Sequence, residues 1–262
     1  MICMFEAELL KLSRRRVTLA TVAGTLAFAV LAATAVFLSA TGPGEPSAPR
    51  GTSVESLAQA GGATEAFAIG ASFAGILVLV LFIANVAGEI SQGTFRTLLM
   101  REPRRIALLA GKMAALLAFV AGVLAFAEIL TVAASTAIAP TQDVSTASWF
   151  GVDGLGAAAA DYGSALAGLT AWALLGMALA IFVRSIPIAL AIGIVWSGPF
   201  EHLLHDAWIG AGEWFPGLLL ETLISGGGNG ASVTRALVLV AVYVCVAAGA
   251  AGIVFARRDV TV

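Results

Sequence analysis

Six apolar runs, each close to the length needed to cross a lipid bilayer, constrain this chain more than any other feature. A spanning helix needs about 20 mostly apolar residues at about 1.5 Å of rise each. Such runs occupy residues 17–40, 65–87, 106–139, 161–183, 186–209 and 233–255. Breakers stand between them: Thr41-Gly-Pro-Gly-Glu-Pro46 after the first, Pro140 after the third, and Arg184-Ser-Ile-Pro187 after the fourth. The first run follows Arg14, Arg15 and Arg16 as a signal peptide would, but it is about twice the length of a signal core. The fifth fades near Trp196 and is interrupted by Pro199. Residues 200–224 then read as amphipathic pieces carrying Trp208, Trp214, Phe215 and Pro216.

Composition decides what solvent these runs face. Apolar residues make up 60% of the chain and charged residues 11%, against about 25% charged in a soluble domain. A water-facing fold could not cover that much apolar surface, and a disordered chain is poor in hydrophobes. An all-α polytopic membrane protein is the expectation, a single transmembrane domain over residues 1–262. Cys3 and Cys245 are too few and too far apart for a disulfide framework or a metal site. Basic residues form no groove with interleaved aromatics, so nucleic acid is not an expected partner.

Charge placement predicts orientation. Cytoplasmic loops are enriched in Lys and Arg. Lys11 and Arg14–Arg16 precede the first span, and Arg96, Arg101, Arg104, Arg105 and Lys112 lie between or just inside the second and third. Arg184 joins four to five, and Arg257 and Arg258 follow six. Only Arg50 and Arg235 fall on the other side, which collects Glu45, Glu55, Asp143, Asp153, Glu201, Asp206, Glu213 and Glu221. The expectation is six spans with both termini cytoplasmic, in a bacterial cell membrane. Ahead of span one, Met4 to Arg16 reads as an interfacial amphipathic helix, with a positively charged flank that merely fixes topology as the alternative. Its apolar side would be Phe5, Leu9, Leu10 and Leu12, and its wet side Glu6, Glu8, Lys11 and the arginines. The small residues of span six, Ala248, Gly249 and Gly252, favour close helix approach.

The loop at 89–105 holds the densest signal. Gly93 breaks the chain after span two, and Thr94 can cap a new short helix. That helix, Phe95 to Met100, would show an apolar side of Phe95, Leu98 and Leu99 and project Arg96 and Arg101. Pro103 ends it by disfavouring helix at Glu102. A rigid, cation-rich helix between two spans is a shape that can press on a cytoplasmic partner; the plainer reading is a positive loop that fixes topology.

The residues Glu89, Gly93, Thr94, Arg96, Leu98, Leu99, Pro103, Arg104, Arg105, Gly111 and Lys112 form a pattern that resembles the first cytoplasmic loop of ABC-2-type transporter permeases. The N-terminal Phe5, Ala7, Glu8, Lys11 and Leu12 and the terminal Phe255, Arg257, Arg258 and Asp259 resemble that family's ends, in the same order. The resemblance implies an elbow helix before span one, a coupling helix in the 89–105 loop, and short re-entrant helices on the outer side between spans five and six. It also implies pairing with a second permease copy or a homologous permease, and docking on two cytoplasmic ATPase subunits that bind the ATP and Mg. Glu89, Gly93, Thr94, Phe95, Arg96, Leu99, Arg101, Pro103, Arg104 and Arg105 would then carry the coupling. Here Arg104-Arg105 follows the proline directly, whereas many relatives place a small residue first, so which arginine makes the contact is open.

The chain has no phosphate loop of its own: Gly111-Lys112 is followed by Met113. No cofactor is expected on this chain. Glu128 inside span three and Asn85 in span two are candidates for a polar substrate path, with packing and interhelical hydrogen bonding as the alternatives. His202 and His205 could share a helical face and hold a metal, but they lack a third ligand of fixed spacing. The substrate expected is hydrophobic or amphipathic (an antibiotic, lipid or peptide), because the outer loops are short and the spans carry little fixed charge. An ion, a metal-related species or a glycan is the alternative cargo. A membrane-embedded enzyme lacks H-E-x-x-H and G-x-S-x-G signatures here, and a sensor subunit would not need the Arg96–Arg105 surface.

Overall fold

The computed structural model describes residues 2–42, 52–94, 104–227 and 229–257. Its long elements are helices: α1 (Ile2–Leu12), α2 (Arg15–Leu38), α3 (Val54–Leu57), α4 (Glu65–Ser91), α5 (Arg105–Ile138), α6 (Val152–Val183), α7 (Ile186–Val195), α8 (Glu201–Ala207), α9 (Pro216–Ser225) and α10 (Val233–Arg257). Among the described residues, six segments are long and apolar enough to cross a membrane: α2, α4, α5 with its terminal 3-10 turn, α6, the continuous stretch Ile186–Ala207, and α10. The protein is an all-α polytopic membrane protein.

The centre of the bundle is the α4–α6 pair. Phe67, Val78, Leu79, Phe82, Ile83 and Val86 of α4 are buried with Leu169, Trp172, Met177 and Ile181 of α6. Lipid tails are as apolar as leucine, so the helices associate through close packing, and small residues allow it. Gly75 makes room for the Trp172 indole, and Gly176 lets α6 approach the backbone at Leu79. The glycines of span six behave differently. Around Gly249 and Gly252 there is open space within this chain, so the close approach expected there is made by α4 and α6 instead. Helices α2 and α10 lie outside the central pair and turn Leu19, Leu31, Val238 and Val246 outward, as a lipid-facing surface requires.

Two further features depart from a simple reading of the sequence. Pro199 does not end span five. Proline lacks an N–H and crowds the carbonyl four residues back, and the chain widens into a π-turn, Trp196–Phe200, in which the Glu201 N–H reaches Trp196 O. The helix then continues into α8. Span four is also longer than expected, starting at Val152 rather than near 161.

At the end of the bundle remote from Lys112, a second apolar cluster forms under the connecting segments. Trp149 packs edge-on against Phe37 at 6.2 Å between ring centroids, and its Nε1–H donates to Leu57 O at 2.9 Å. Ser148 Oγ donates to Ala58 O at 2.6 Å, so the α5–α6 connection is fastened to the segment before α4.

Candidate functional site

Lys112 lies about two turns into α5 from Arg105, and its side chain is fully buried. A bare ammonium at that depth is costly, so such a lysine faces the bundle interior and pairs. Its Nζ stands 2.8 Å from Glu8 Oε1 and 2.6 Å from Glu89 Oε1. Lys11 closes the group from the rim, 3.4 Å from Glu89 Oε1 and 3.8 Å from Glu8 Oε2. Two carboxylates and two ammoniums make a balanced quartet that joins α1, α4 and α5.

The quartet reverses part of the expected polarity of α1. The sequence pattern puts Glu8 on the wet side, yet it is 4% exposed, while Leu10 is 71% exposed. Met4, Glu8 and Leu12 sit at intervals of four and share the face turned to the bundle. Lys112 draws Glu8 inward, and Leu9 and Leu10 are left exposed. Helix α1 ends at Leu12 rather than Arg16, with Ser13 Oγ donating to Leu10 O before α2 begins.

Glu89 occupies the last turn of α4. The Gln92 and Gly93 N–H groups close that turn onto Gly88 O and Ile90 O, and Gly93 takes φ +69°. A left-handed glycine just past the helix is a common stop, because it avoids the Cβ penalty other residues would meet. Helical conformation resumes at Thr94, which is exposed. Phe95, Arg96, Leu99, Arg101 and Pro103 lie outside the described residues. On the far side of the loop, Arg104 is exposed and Arg105 opens α5. Both roots of the 89–105 loop are therefore held by the quartet, one at Glu89 and the other at Lys112.

The remaining candidates do not gather with it. Asn85 stands one turn before Glu89, and its Oδ1 is buried without a hydrogen-bond partner among the described residues. Glu128 is remote from Asn85. It lines an open cavity of about 460 Å³ with Trp149, Phe150 and Tyr162, and its Oε1 is likewise unpartnered among the described residues. His202 Nδ1 meets Gly198 O at 2.7 Å and its Nε2 meets Glu221 Oε1 at 3.2 Å. His205 does not join them. Among the described residues, no group of three or more His, Cys, Asp or Glu could hold a metal ion.

Two carboxylates make contacts that the sequence does not announce. Glu201 is fully buried, and its Oε2 accepts from the Leu218 N–H at 3.0 Å at the start of α9. A carboxylate there satisfies a free helix N–H and complements the helix dipole. Asp161 accepts from Thr64 Oγ1 at 2.5 Å and lies within electrostatic reach of both Glu65 and Glu128. Neither link has a local signal, since each joins segments distant in sequence.

Residues 48–261 match the model of a family described as "Protein of unknown function (DUF2705)". No curated protein matches the chain, and no solved structure does.

Proposed function

The protein belongs to this family, DUF2705, and from its six apolar spans and the contacts among its motif residues we propose that it is the membrane-spanning permease subunit of an ATP-driven ABC exporter. Both termini and the 89–105 loop face the cytoplasm, where separate ATPase subunits bind the loop. The cargo is a hydrophobic or amphipathic molecule.

The observation that carries this reading is the quartet. Glu8 and Lys11 come from the N-terminal motif, Glu89 and Lys112 from the loop motif, and these were the residues that resembled ABC-2 permeases. Their side chains meet. A loop that takes a push from an ATPase must pass it to the spans without bending at its roots. Binding both roots and the surface helix through buried ion pairs is a rigid way to do so, and closure of the ATPase pair would then move the spans as a body.

The chain supplies no phosphate loop, so the energy has to come from a partner. Purification of the tagged, detergent-solubilised protein from its native membrane tests this directly. A phosphate-loop ATPase should co-purify, and the charge reversals Arg96→Glu and Arg104→Glu should release it and stop transport while membrane insertion is unchanged. Unchanged transport in both reversals would remove these arginines from the interface. A preparation without any ATPase, after mild detergent and crosslinking, would shift the reading to a membrane-embedded enzyme or sensor.

A further inference from the structure

At the end of the bundle opposite Lys112, a half-enclosed cavity of about 440 Å³ opens between α4 and the α8–α9 hairpin. That lies within the range of about 300–1,000 Å³ typical of small-molecule sites. One wall is mostly apolar, formed by Ile69, Phe73 and Ile76 of α4 with the Ser72 hydroxyl among them, which donates to Ala68 O. The other carries His202, Glu221 and Asn229, and Glu65 at the first position of α4 completes the lining.

The two acidic groups in this lining differ in what they already hold. His202 Nδ1 faces a carbonyl, Gly198 O, at 2.7 Å, so Nδ1 carries a proton and donates. Its Nε2 lies 3.2 Å from Glu221 Oε1, so that carboxylate already has a neighbour on one oxygen. Asn229 Nδ2 also donates to Glu221 Oε2 at 3.3 Å.

Glu65 has no such partner. Among the described residues its carboxylate makes no hydrogen bond or ion pair, and another acid, Asp161, lies within its electrostatic reach. Arg235, the basic side chain at this end among the described residues, is engaged by Glu213 at 2.7 Å. An uncompensated acid beside an apolar wall attracts an organic cation, because the walls confine the field and the hydrocarbon finds a surface. Phe73 is 66% exposed, so that wall runs out to the lipid. No metal-type cluster exists among the described residues to favour an inorganic ion.

We propose that this cavity binds an amine-bearing amphiphile, with its ammonium on the Glu65 carboxylate and its hydrocarbon along Phe73 and Ile76. This site stands on the cavity alone and does not depend on the permease reading. The test is calorimetric titration of n-octylamine into the full chain in phosphatidylcholine nanodiscs, with empty nanodiscs subtracted. Saturable one-to-one binding is expected, absent for n-octanol, weakened at least about tenfold by Glu65→Gln and retained by Glu65→Asp. Equal affinity in Glu65→Gln, equal binding of octanol, or displacement of the amine by calcium or zinc would overturn it. Should Glu65→Gln fail to fold, the contrast between amine and alcohol on the unaltered chain decides. No ATPase enters the experiment, so a failure here leaves the permease reading to its own test.

Discussion

Lys112 Nζ lies 2.8 Å from Glu8 Oε1, although 104 positions separate the two residues in the chain. The contact pins the N-terminal helix to the third span at a point where neither charge is well solvated. Removing one member of a buried pair is costly because its partner stays behind uncompensated.

Lys112→Met keeps the length of the side chain and deletes its charge, leaving Glu8 and Glu89 to the partly exposed Lys11 alone. We expect a loss of about 3–5 kcal/mol in unfolding stability. Glu8→Gln should cost less, since Lys112 retains Glu89 at 2.6 Å. The double variant leaves one acid and one base, so its loss should be smaller than the sum of the two single losses. Unfolding in detergent micelles measures all three, and simple additivity would show that the quartet does not act as a unit.

The apolar runs were legible because their length and sparse charge reflect a solvent, and a solvent acts on every residue of a span. Partners across the bundle were not legible. Glu8 reads as a surface residue because nothing within α1 reveals that Lys112, far along the chain, will sit beneath it. Pro199 reads as an interruption of the fifth span, and the π-turn that carries the helix past it has no signature of its own in the sequence. Gly249 and Gly252 look like contact residues by type, whereas Gly75 and Gly176 make the contacts by position. The loop from Phe95 to Pro103 rests on its motif alone. The charge of Glu201 is plain in the sequence, but its task at the start of α9 depends on a hairpin that brings residue 218 back to it.

The glycine contrast gives a second prediction. A Cβ at Gly176 would stand 2.9 Å from Leu79 O, and a backbone carbonyl inside a helix cannot step aside. Gly176→Ala should therefore cost about 1–3 kcal/mol through forced separation of α4 and α6. At Gly252 a Cβ meets nothing within 4 Å. Gly252→Ala should be neutral or gain up to about 1 kcal/mol from helix propensity. Thermal unfolding of the two variants side by side checks this, and a loss at Gly252 equal to that at Gly176 would contradict it.

Glu201 supplies the third. Replacing it by alanine leaves the Leu218 N–H without its acceptor in a dry setting, and a buried donor left unsatisfied costs about 1–3 kcal/mol. Glu201→Ala should lower stability by roughly that amount, and Glu201→Gln by less, because the amide oxygen can still accept. The local signature is faster hydrogen exchange at the Leu218 amide with the central α4 and α6 amides unchanged. Uniform acceleration across the whole chain would instead make Glu201 a determinant of global stability alone.

The orientation reading makes the last prediction, and the permease proposal stands or falls with it. Gln59 and Thr94 are both exposed and lie at opposite ends of α4. In a background where Cys3 and Cys245 are serine, Gln59→Cys should react with a membrane-impermeant maleimide in intact cells. Thr94→Cys should react only after permeabilisation. The bias of Lys and Arg toward the Thr94 end is the physical basis, since positive loops resist translocation. The reverse labelling pattern would place the Lys112 quartet and the 89–105 loop outside the cell. No cytoplasmic ATPase could then reach them, and the charge asymmetry would need a different explanation.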